Sequence, residues 1–381
     1  MRNSERALTW VEVDLDAIEH NVRALRAHVG DGVRLAAVVK ANAYGHGAPA
    51  VAQTALAAGA GHLAVVSVSE GVELREAGLT APILILGYTP EWDAETVVEY
   101  ELTPTVTRPE VAMALSQAAV ARGMCVRIHL KVDTGLHRFG AAPREALELR
   151  ALISTLPGVE LEGLSTHFAS ADEADKSFTH EQFTLYQQIA RQMPEVTLRH
   201  AANSSAVLDL PEMALTMVRS GIALYGLYPS LEVSRAVPLR PVLSLKSRLA
   251  RIHDLEVGDP VSYGRTWRAS RPSRMGLVPC GYAHGLRRAL SNTGAMLVHG
   301  QRVPIRGRIC MDQCVVDLTD VPEAQLHDEV VIIGRQGDEK ITAEEVAERV
   351  GTINYEIVTG IPPRVPRVYL QGGDWSAAPG S

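Results

Sequence analysis

The chain has 381 residues, enough for roughly two to three domains or for one large barrel with a partner domain. Hydrophobic residues make up 46% of the chain and charged residues 21%, a globular composition that fits neither an intrinsically disordered protein nor a disulfide scaffold. The net charge of −7 provides no global attraction to nucleic acid or to an anionic membrane. A local basic groove that attracts such a partner stays an alternative.

The cysteines and the N-terminus indicate the compartment. Four cysteines are present, and they lack the paired spacing of a zinc ribbon or of a secreted disulfide framework. We therefore expect reduced thiols and no metal site. The N-terminal segment is polar and charged, and no later segment reaches about 18 uninterrupted apolar residues. These features predict a cytoplasmic protein with no membrane partner.

From the N-terminus to about residue 220, short β-branched runs alternate with helical stretches. A strand is predicted at residues 10–15. A helix is predicted next, because Ile18, Val22, Leu25 and Val29 fall at the spacing of one helix face. Gly30 follows as a signal for the end of this helix. Helices are also predicted at residues 110–122 and 181–192. Further strands are predicted at residues 35–39, 63–68, 83–86, 104–106, 126–132, 161–168, 197–200 and 217–218.

This alternation predicts parallel strands joined by helical crossovers. About eight units fit a closed (β/α)8 barrel of the TIM type better than an open sheet, although a doubly wound sheet stays an alternative. Residues 241–370 change to short strands separated by Gly, Pro and Asp-Gly turns, with one helix at residues 342–350 capped by Thr342. We therefore divide the chain into a barrel, residues 1–240, and a mostly β domain, residues 241–381. The final barrel strand is allowed to borrow residues from the β-domain side.

Lys40 ends the apolar strand predicted at residues 35–39. In a barrel, the loops at the C-terminal ends of the strands line the active site. Burial at such a position lowers the pKa of a lysine, which makes the neutral amine a nucleophile for a carbonyl. The structural alternative is a lysine that reaches solvent at the barrel rim.

Other polar residues also follow predicted strands. The loops after the last two strands combine hydroxyl, amide and glycine groups, which suits the phosphate site that barrels often build there. Each residue has a structural alternative, such as Ser204 as an N-cap, His167 as a core histidine and Gly221 as a turn glycine. Their joint occurrence at strand ends favours a functional site. The residues are Lys131, Asp133, Arg138, His167, Asn203, Ser204, Arg219, Gly221 and Ile222.

A set of motifs between Trp10 and Tyr369 strengthens this interpretation: AVVKANAYGHG, KVDTGLHRFG, THFASADE, HAANSSA, VRSGIALYGLYPS, VSYGRTW, GYAHGL, RGRICMDQ and TINYEIVTGIPPRVPRVY. Together they resemble the alanine racemases, pyridoxal phosphate enzymes with an N-terminal barrel and a C-terminal β domain. The resemblance implies that Lys40 carries pyridoxal 5'-phosphate as an imine and that Arg219 faces the pyridine nitrogen. It also implies that Arg138 and the Met311 backbone bind the substrate carboxylate. The remaining cofactor-binding residues would be Tyr44, His167, Asn203, Ser204, Gly221, Ile222 and Tyr355.

The resemblance further implies racemisation of L-alanine and D-alanine by two-base α-proton transfer on the cofactor aldimine. Inversion needs a proton taken from one face and returned on the other, which Lys40 and Tyr263 would serve from opposite faces. Tyr263 would reach the barrel of the other subunit, so that a homodimer shares its active sites. We expect His167, linked to Arg219, to lower the pKa of this tyrosine. The product would supply D-alanine for peptidoglycan.

Arginine at the pyridine nitrogen, always charged, can only donate to an unprotonated ring, which limits side reactions such as transamination. Lys131 matches a family position that can be a carbamylated lysine, whose anion would orient the Arg138 guanidinium. Tyr282, Asp172 and Arg308 are expected at the entrance and pocket. His284 is a departure, because the family usually has aspartate in GYAHGL.

Four alternatives remain. A related decarboxylase of basic amino acids would need a pocket for a long charged side chain and a catalytic cysteine, but the matching loops carry Tyr263 and Met311. A broad-specificity racemase would usually have an export signal. A noncatalytic pyridoxal phosphate carrier resembles the barrel alone. A purely structural interaction protein would not need Lys40, Arg138 and Arg219 together at strand ends.

Overall fold

The computed structural model describes residues 7–372 and 374–377, and for residues 374–377 only the backbone. These residues form two compact units. The barrel unit comprises Ala17–Ala43 and Ala48–Pro241. The β unit comprises residues 7–16, Tyr44–Gly47 and the described residues from Val242 onward.

The first strand, β1 (Thr9–Asp14), belongs to the β unit, and the next eight form the parallel sheet of the barrel unit: β2 (Arg34–Val38), β3 (His62–Val65), β4 (Ile83–Ile85), β5 (Thr103–Val106), β6 (Val126–Lys131), β7 (Val159–Ser165), β8 (Leu198–His200) and β9 (Met217–Ser220). β2 through β8 pair in chain order, and β2 also pairs with β9, with Leu35 opposite Val218. Between β8 and β9, the Arg219 N–H donates to the carbonyl of Ala202 at 3.0 Å. The sheet is therefore a nearly closed barrel, which confirms the predicted (β/α)8 fold and excludes the doubly wound sheet.

Helices separate most of these strands: α1 (Leu15–Val29), the single left-handed turn α2 (Lys40–Tyr44), α3 (Ala48–Ala57), α4 (Val68–Glu76), α5 (Ala94–Glu99), α6 (Pro109–Arg122), α7 (Pro143–Ile153), α8 (Ser177–Ala190) and α9 (Ser204–Asp209). The predicted face of α1 is confirmed, since Ile18, Val22 and Leu25 are fully buried. Gly30, with φ 87°, follows the helix. A left-handed glycine at this position is a common helix end, because it has no Cβ to clash.

The remaining strands belong to the β unit: β10 (Leu243–Arg248), β11 (Arg251–Leu255), β12 (Pro260–Val261), β13 (Trp267–Arg268), β14 (Ser273–Val278), β15 (Ala295–Val298), β16 (Gln301–Arg306), β17 (Cys314–Asp317), β18 (Glu329–Gln336), β19 (Glu339–Ile341), β20 (Arg367–Gln371) and β21 (Asp374–Ala377). Their sheet order is β11-β14-β17-β16-β15-β18-β10-β1-β20-β21, with β19 on β18 and a separate β12–β13 pair. The helices are α10 (Ala343–Val350) and α11 (Asn354–Thr359).

The N-terminal strand lies inside this sheet. β1 pairs antiparallel with β10, with Thr9 opposite Ser247, and parallel with β20, with Val11 opposite Arg367. The prediction that residues 10–15 begin the barrel, and the assignment of all residues 1–240 to it, were therefore wrong for β1. The ladder joins Thr9 to a residue 238 positions away, and a local pattern carries no sign of so distant a partner.

The helix predicted at residues 342–350 is confirmed as α10. The Thr342 hydroxyl accepts a hydrogen bond from the Glu345 N–H at 3.1 Å, as the cap predicts. The short helix α11 was not predicted. In the described ranges, no helix combines the length and the apolar character that crossing a membrane would require.

Candidate active site

Lys40 follows β2 and opens a left-handed turn. Ala41 and Asn42 both have φ 52°, a conformation that costs about 1–2 kcal/mol for each non-glycine residue. Side-chain hydrogen bonds hold the turn. The Ala41 N–H donates to Glu70 Oε1 at 2.7 Å, and the Ala48 N–H donates to Asn42 Oδ1 at 2.8 Å. The strained turn thus keeps Lys40 in one place at the C-terminal end of the strand.

Glu70 is a site residue that sequence reasoning missed. Its second oxygen, Oε2, accepts from the Val66 N–H at 2.7 Å, so one carboxylate ties the chain after β2 to the chain after β3. The Ser67 hydroxyl accepts from the Glu70 N–H at 3.3 Å and caps α4. A serine followed three residues later by glutamate indicates a helix start, so the sequence signal pointed only to a cap.

Positive charge accumulates in the barrel unit around Lys40. Burial, and then the Arg138 guanidinium, lower the pKa of Lys40. Burial, and then Arg219 and Arg138, lower the pKa of Lys131 to about 7. The Lys131 Nζ lies 5.0 Å from the centroid of the Phe139 ring. A lowered pKa makes an amine a better nucleophile or base near neutral pH, and surplus positive charge favours an anionic ligand.

Asp133 organises the loop that carries Arg138. Its Oδ1 accepts from the N–H groups of Gly135 at 2.9 Å and His137 at 3.1 Å. A Cβ on Gly140, whose φ is 156°, would lie 2.7 Å from the Asp133 nitrogen. Arg138 itself is exposed, so that its guanidinium is accessible to a carboxylate from solution.

Arg219, on β9, is 5% exposed and donates in several directions. Its Nη1 donates to His200 Nδ1 at 2.6 Å and to the His200 carbonyl at 3.0 Å. Its Nη2 donates to the carbonyls of Thr166 at 2.8 Å and Ala201 at 2.9 Å, and lies 3.3 Å from His167 Nδ1. The expected link between His167 and Arg219 is therefore present. Among residues 7–372, no group accepts from Nε, which leaves this N–H as a donor for a ligand.

The charge states of this pair follow from burial. Burial lowers the pKa of Arg219 to about 10, so the guanidinium stays charged at neutral pH. Burial, and then Arg219, hold the pKa of His167 well below its ordinary value. His167 is consequently a neutral imidazole that accepts at Nδ1 and carries its proton on Nε2.

The loops after β8 and β9 are tied together by one hydroxyl. Ser204 Oγ accepts from the N–H of Gly221 at 2.9 Å and from that of Ala223 at 3.4 Å. Asn203, not Ser204, is the N-cap of α9, since its Oδ1 accepts from the Ala206 N–H at 3.1 Å. Ser204 is 4% exposed. Its hydroxyl therefore fixes the backbone around Gly221 and Ile222, where a phosphate site was predicted.

Asp172 lies at the edge of the barrel unit. It is exposed, and its carbonyl accepts from Ser230 Oγ at 2.6 Å. The contacts of the described residues give the Asp172 side chain no role in binding a ligand.

In the β unit, Tyr263 and Arg308 belong to one local structure. Tyr263 is 72% exposed and follows Ser262, which has φ 61°. The Ser262 hydroxyl donates to the Arg308 carbonyl at 2.6 Å. A Cβ on Gly264 would lie 3.2 Å from the Arg308 guanidinium carbon. The predicted second base is therefore a solvent-facing phenol on a defined turn.

Tyr282 and Met311 form a second local structure in the same unit. The Tyr282 N–H donates to the Cys310 carbonyl at 3.1 Å, and the Ala283 N–H donates to the Met311 carbonyl at 2.9 Å. A Cβ on Gly281 would lie 2.3 Å from the Cys310 oxygen and 2.4 Å from the Met311 oxygen. Only glycine permits this backbone approach.

His284 ends the same turn. Its Nδ1 accepts from the Gly281 N–H at 3.2 Å, an acceptor role that an aspartate carboxylate could also fill. Burial, and then Arg364, lower the pKa of His284. The departure from aspartate therefore keeps an acceptor and removes a negative charge.

Tyr44 and Tyr355 also meet within the β unit. Their ring centroids are 6.1 Å apart, with the planes tilted by 49°. Burial raises the pKa of Tyr44 to about 12, so that the hydroxyl stays protonated and able to donate. A Cβ on Gly45 would lie 2.4 Å from the Val358 carbonyl oxygen, which explains the glycine after Tyr44.

These residues define a class. The barrel unit has a lysine of lowered pKa after β2, a cation-rich surround and a buried arginine with one N–H to offer. This is the site of a barrel enzyme that uses a lysine amine on an anionic ligand. The family model for the alanine racemase N-terminal domain matches residues 13–229, and the model for the alanine racemase C-terminal domain matches residues 242–369.

Relatives and solved structures agree with the family models. The alanine racemase of Halothermothrix orenii is 45% identical over 365 residues, 95% of this chain and 96% of that protein. A crystal structure of the Bacillus anthracis alanine racemase with bound L-Ala-P is 41% identical, with a TM-score of 0.90, over 97% of this chain and 96% of that chain. The Bartonella henselae alanine racemase with covalently bound pyridoxal phosphate is 29% identical, with a TM-score of 0.86, over 96% and 100%. The chain belongs to the alanine racemase family of enzymes.

Proposed function

We propose that the chain interconverts L-alanine and D-alanine with pyridoxal phosphate, using Lys40 and Tyr263 as the two acid/base groups. The observation that carries the proposal is the state of Lys40. Its amine lies at the C-terminal end of a barrel strand, and burial and Arg138 lower its pKa. Family membership supplies the substrate, since the relatives are named alanine racemases.

The residues of the barrel unit fit the cofactor. Lys40, whose pKa is lowered by burial and Arg138, would hold it covalently. The Arg219 Nε–H, which no group among residues 7–372 accepts, would donate to the pyridine nitrogen. The backbone that Ser204 fixes at Gly221 would hold the phosphate with Ile222. In the β unit, Tyr44, whose hydroxyl stays protonated because burial raises its pKa, and Tyr355, whose ring lies against it, would contact the phosphate.

When bound, pyridoxal phosphate supplies a conjugated ring that stabilises the negative charge left on the α-carbon after proton removal. Arg138 would bind the substrate carboxylate as a charge-assisted donor, with the Met311 backbone beside it. Lys40 would take or return the α-proton on one face and the Tyr263 hydroxyl would do so on the other. Neutral His167, with a proton on Nε2, could donate to the phenolate of Tyr263 and stabilise it.

Lys131 is proposed to carry a carbamate. Its lowered pKa of about 7 makes the neutral amine available, and the nitrogen attacks carbon dioxide with release of one proton to solvent. The resulting anion would orient Arg138 and remove the repulsion between the two cations. Tyr282, Arg308 and Asp172 are proposed to shape the entrance.

The second base implies an assembly. The 72% exposure of Tyr263 suits a side chain that completes its site only in a complex, and we propose a homodimer in which Tyr263 serves the partner subunit. From the family alone, we also propose that the chain acts in the cytoplasm and supplies D-alanine for peptidoglycan.

The test is chiral analysis of L-alanine incubated in D2O with the cofactor-loaded protein. We expect racemic alanine with deuterium at the α-carbon. Tyr263→Phe should abolish formation of the D-isomer, whereas Tyr100→Phe, at a tyrosine after α5, should not. Deuterated L-alanine without the D-isomer would mean that Lys40 exchanges one face alone, and the racemase proposal would fall.

A further inference from the structure

Four polar side chains form a continuous file inside the barrel unit, from Glu162 on β7 through His129 on β6 and His200 on β8 to Arg219 on β9. Glu162 Oε2 lies 3.2 Å from His129 Nε2, His129 Nδ1 lies 2.8 Å from His200 Nε2, and His200 Nδ1 lies 2.6 Å from Arg219 Nη1. Both histidines are 1% exposed. The functional roles given above use only the last member of this file.

The file permits one direction of donation. A guanidinium has donors and no acceptor, so His200 must accept from Arg219 at Nδ1. Neutral His200 then carries its proton on Nε2 and donates to His129 Nδ1. Neutral His129 in turn carries its proton on Nε2 and donates to the Glu162 carboxylate. A protonated His129 would point an N–H at the Nε2–H of His200, which is a clash of two donors.

The charges agree with this direction. Burial lowers the pKa of His129, and burial and Arg219 lower that of His200, so both rings are neutral. The hydrogen bond from His129 lowers the pKa of Glu162, which keeps the carboxylate ionised. Within the described residues, no carboxylate contacts Arg219 directly. The anion nearest to this buried cation by way of hydrogen bonds is therefore Glu162, two imidazoles away.

We infer that Glu162 and His129 are positioning residues for Arg219: the one-way file holds the guanidinium so that its Nε–H points to the ligand. This rests on the proposed function, in which that N–H donates to the pyridine nitrogen. The geometry around Arg219 supports the inference, since Nη1 and Nη2 are both engaged and only Nε remains. Rotation of the guanidinium would break the bond to His200 and leave the buried ring nitrogen without its donor.

The first test reads the proton positions directly. Imidazole nitrogen-15 spectra of the cofactor-loaded full chain, assigned with His129→Gln and His200→Asn, report which nitrogen of each ring bears hydrogen. We expect His129 and His200 both to be neutral with the proton on Nε2. An imidazolium, or a proton on Nδ1 of either ring, would overturn the inference whether or not the protein racemises alanine. Loss of racemisation in wild type, with the expected proton positions, would instead refute the proposed function alone.

The second test separates positioning from structure. Glu162→Leu orphans the buried His129 N–H, and we expect kcat for alanine to fall roughly tenfold to hundredfold, with KM little changed and the visible absorption of the bound cofactor shifted. Glu162→Gln keeps an acceptor and should retain most of kcat and the wild-type spectrum. Arg127→Gln is the matched control. It removes the 3.4 Å contact to the other Glu162 oxygen and a nearby positive charge but leaves every hydrogen bond of the file in place, so it should change neither.

Equal kcat and spectra for Glu162→Leu and the Arg127→Gln control would overturn the inference, because the file would then have no effect on the ligand. If Glu162→Leu does not fold, Glu162→Gln decides the test. Proton positions and a cofactor spectrum like those of wild type in Glu162→Gln would support the file, and altered ones would contradict it.

Discussion

Replacing Lys131 with methionine removes a half-buried amine whose charge is unfavourable in the folded chain. Burial, Arg219 and Arg138 lower its pKa from 10.5 to about 7. One pKa unit corresponds to about 1.4 kcal/mol, so this amine lowers the free energy of unfolding by about 4 kcal/mol at pH 7. Methionine keeps most of the side-chain volume. We therefore expect Lys131→Met to raise the free energy of unfolding by about 2–4 kcal/mol at pH 7 while impairing catalysis.

The gain has a defined pH dependence. A lysine with a depressed folded pKa binds fewer protons in the folded chain than in the unfolded chain between pH 7 and pH 10.5. The stability of wild type consequently rises with pH across this window. The advantage of Lys131→Met is largest at and below pH 7 and disappears near pH 10.5. Urea unfolding of both proteins without cofactor, in buffer free of carbon dioxide and at one protein concentration, measures the difference, because no anion then relieves the repulsion.

A difference that stays constant across the window would refute the reasoning, because it would then come from packing and not from charge. Lys340→Met, at an exposed lysine, is the control and should leave stability unchanged.

Added bicarbonate should stabilise wild type and not Lys131→Met, since only the lysine can form a carbamate. Intact mass of mildly treated wild type should show one added carbon dioxide, and its absence would contradict the proposed modification.

Three further outcomes are expected. Lys40→Ala and Tyr263→Phe should each be inactive alone. When the two variants are unfolded together and refolded as mixed dimers, about a quarter of wild-type activity should return, because one of the two shared sites in each heterodimer is intact. No recovery would mean that the sites are not shared. Ser204→Ala leaves two backbone N–H groups without their acceptor and should weaken cofactor binding about tenfold or more, as measured by fluorescence titration of cofactor-free protein. Gly281→Ala should raise KM for alanine about tenfold or more, because its Cβ displaces the backbone at Met311, while Gly61→Ala, with nothing within 4 Å of the added Cβ, should behave as wild type.

The periodic part of the fold could be predicted because each pattern lies within a single segment of the sequence. The buried face of α1 repeats every three or four residues, and the Thr342 cap needs only its own helix. The position of β1 in the sheet could not be predicted, because Thr9 pairs with Ser247, a residue far away in the sequence. The left-handed turn after Lys40 also escapes prediction, because alanine and asparagine there give no glycine signal for positive φ.

The candidate site divides in the same way. Residues at strand ends, such as Lys40 and Arg219, could be found because the barrel places all C-terminal strand ends at one face. Glu162 and His129 could not, because they lie within strands, where an alternating polar residue usually faces solvent. Closing the barrel turns those positions inward. Their role depends on four neighbouring strands at once, which a single segment cannot reveal.

The charge balance of the barrel unit ties its residues to one kind of ligand. The amines of Lys40 and Lys131 are both disfavoured as cations by Arg138, and such repulsion reduces folding stability in a way that a purely structural site would avoid. Anions remove this repulsion, whether a phosphate, a carboxylate or a carbamate formed on Lys131. Ligand binding should therefore stabilise the fold by relief of repulsion as well as by direct contacts. Glu162 cannot provide that relief, because its charge reaches Arg219 only through two imidazoles. The site thus keeps its cations available for the ligand while holding Arg219 in place.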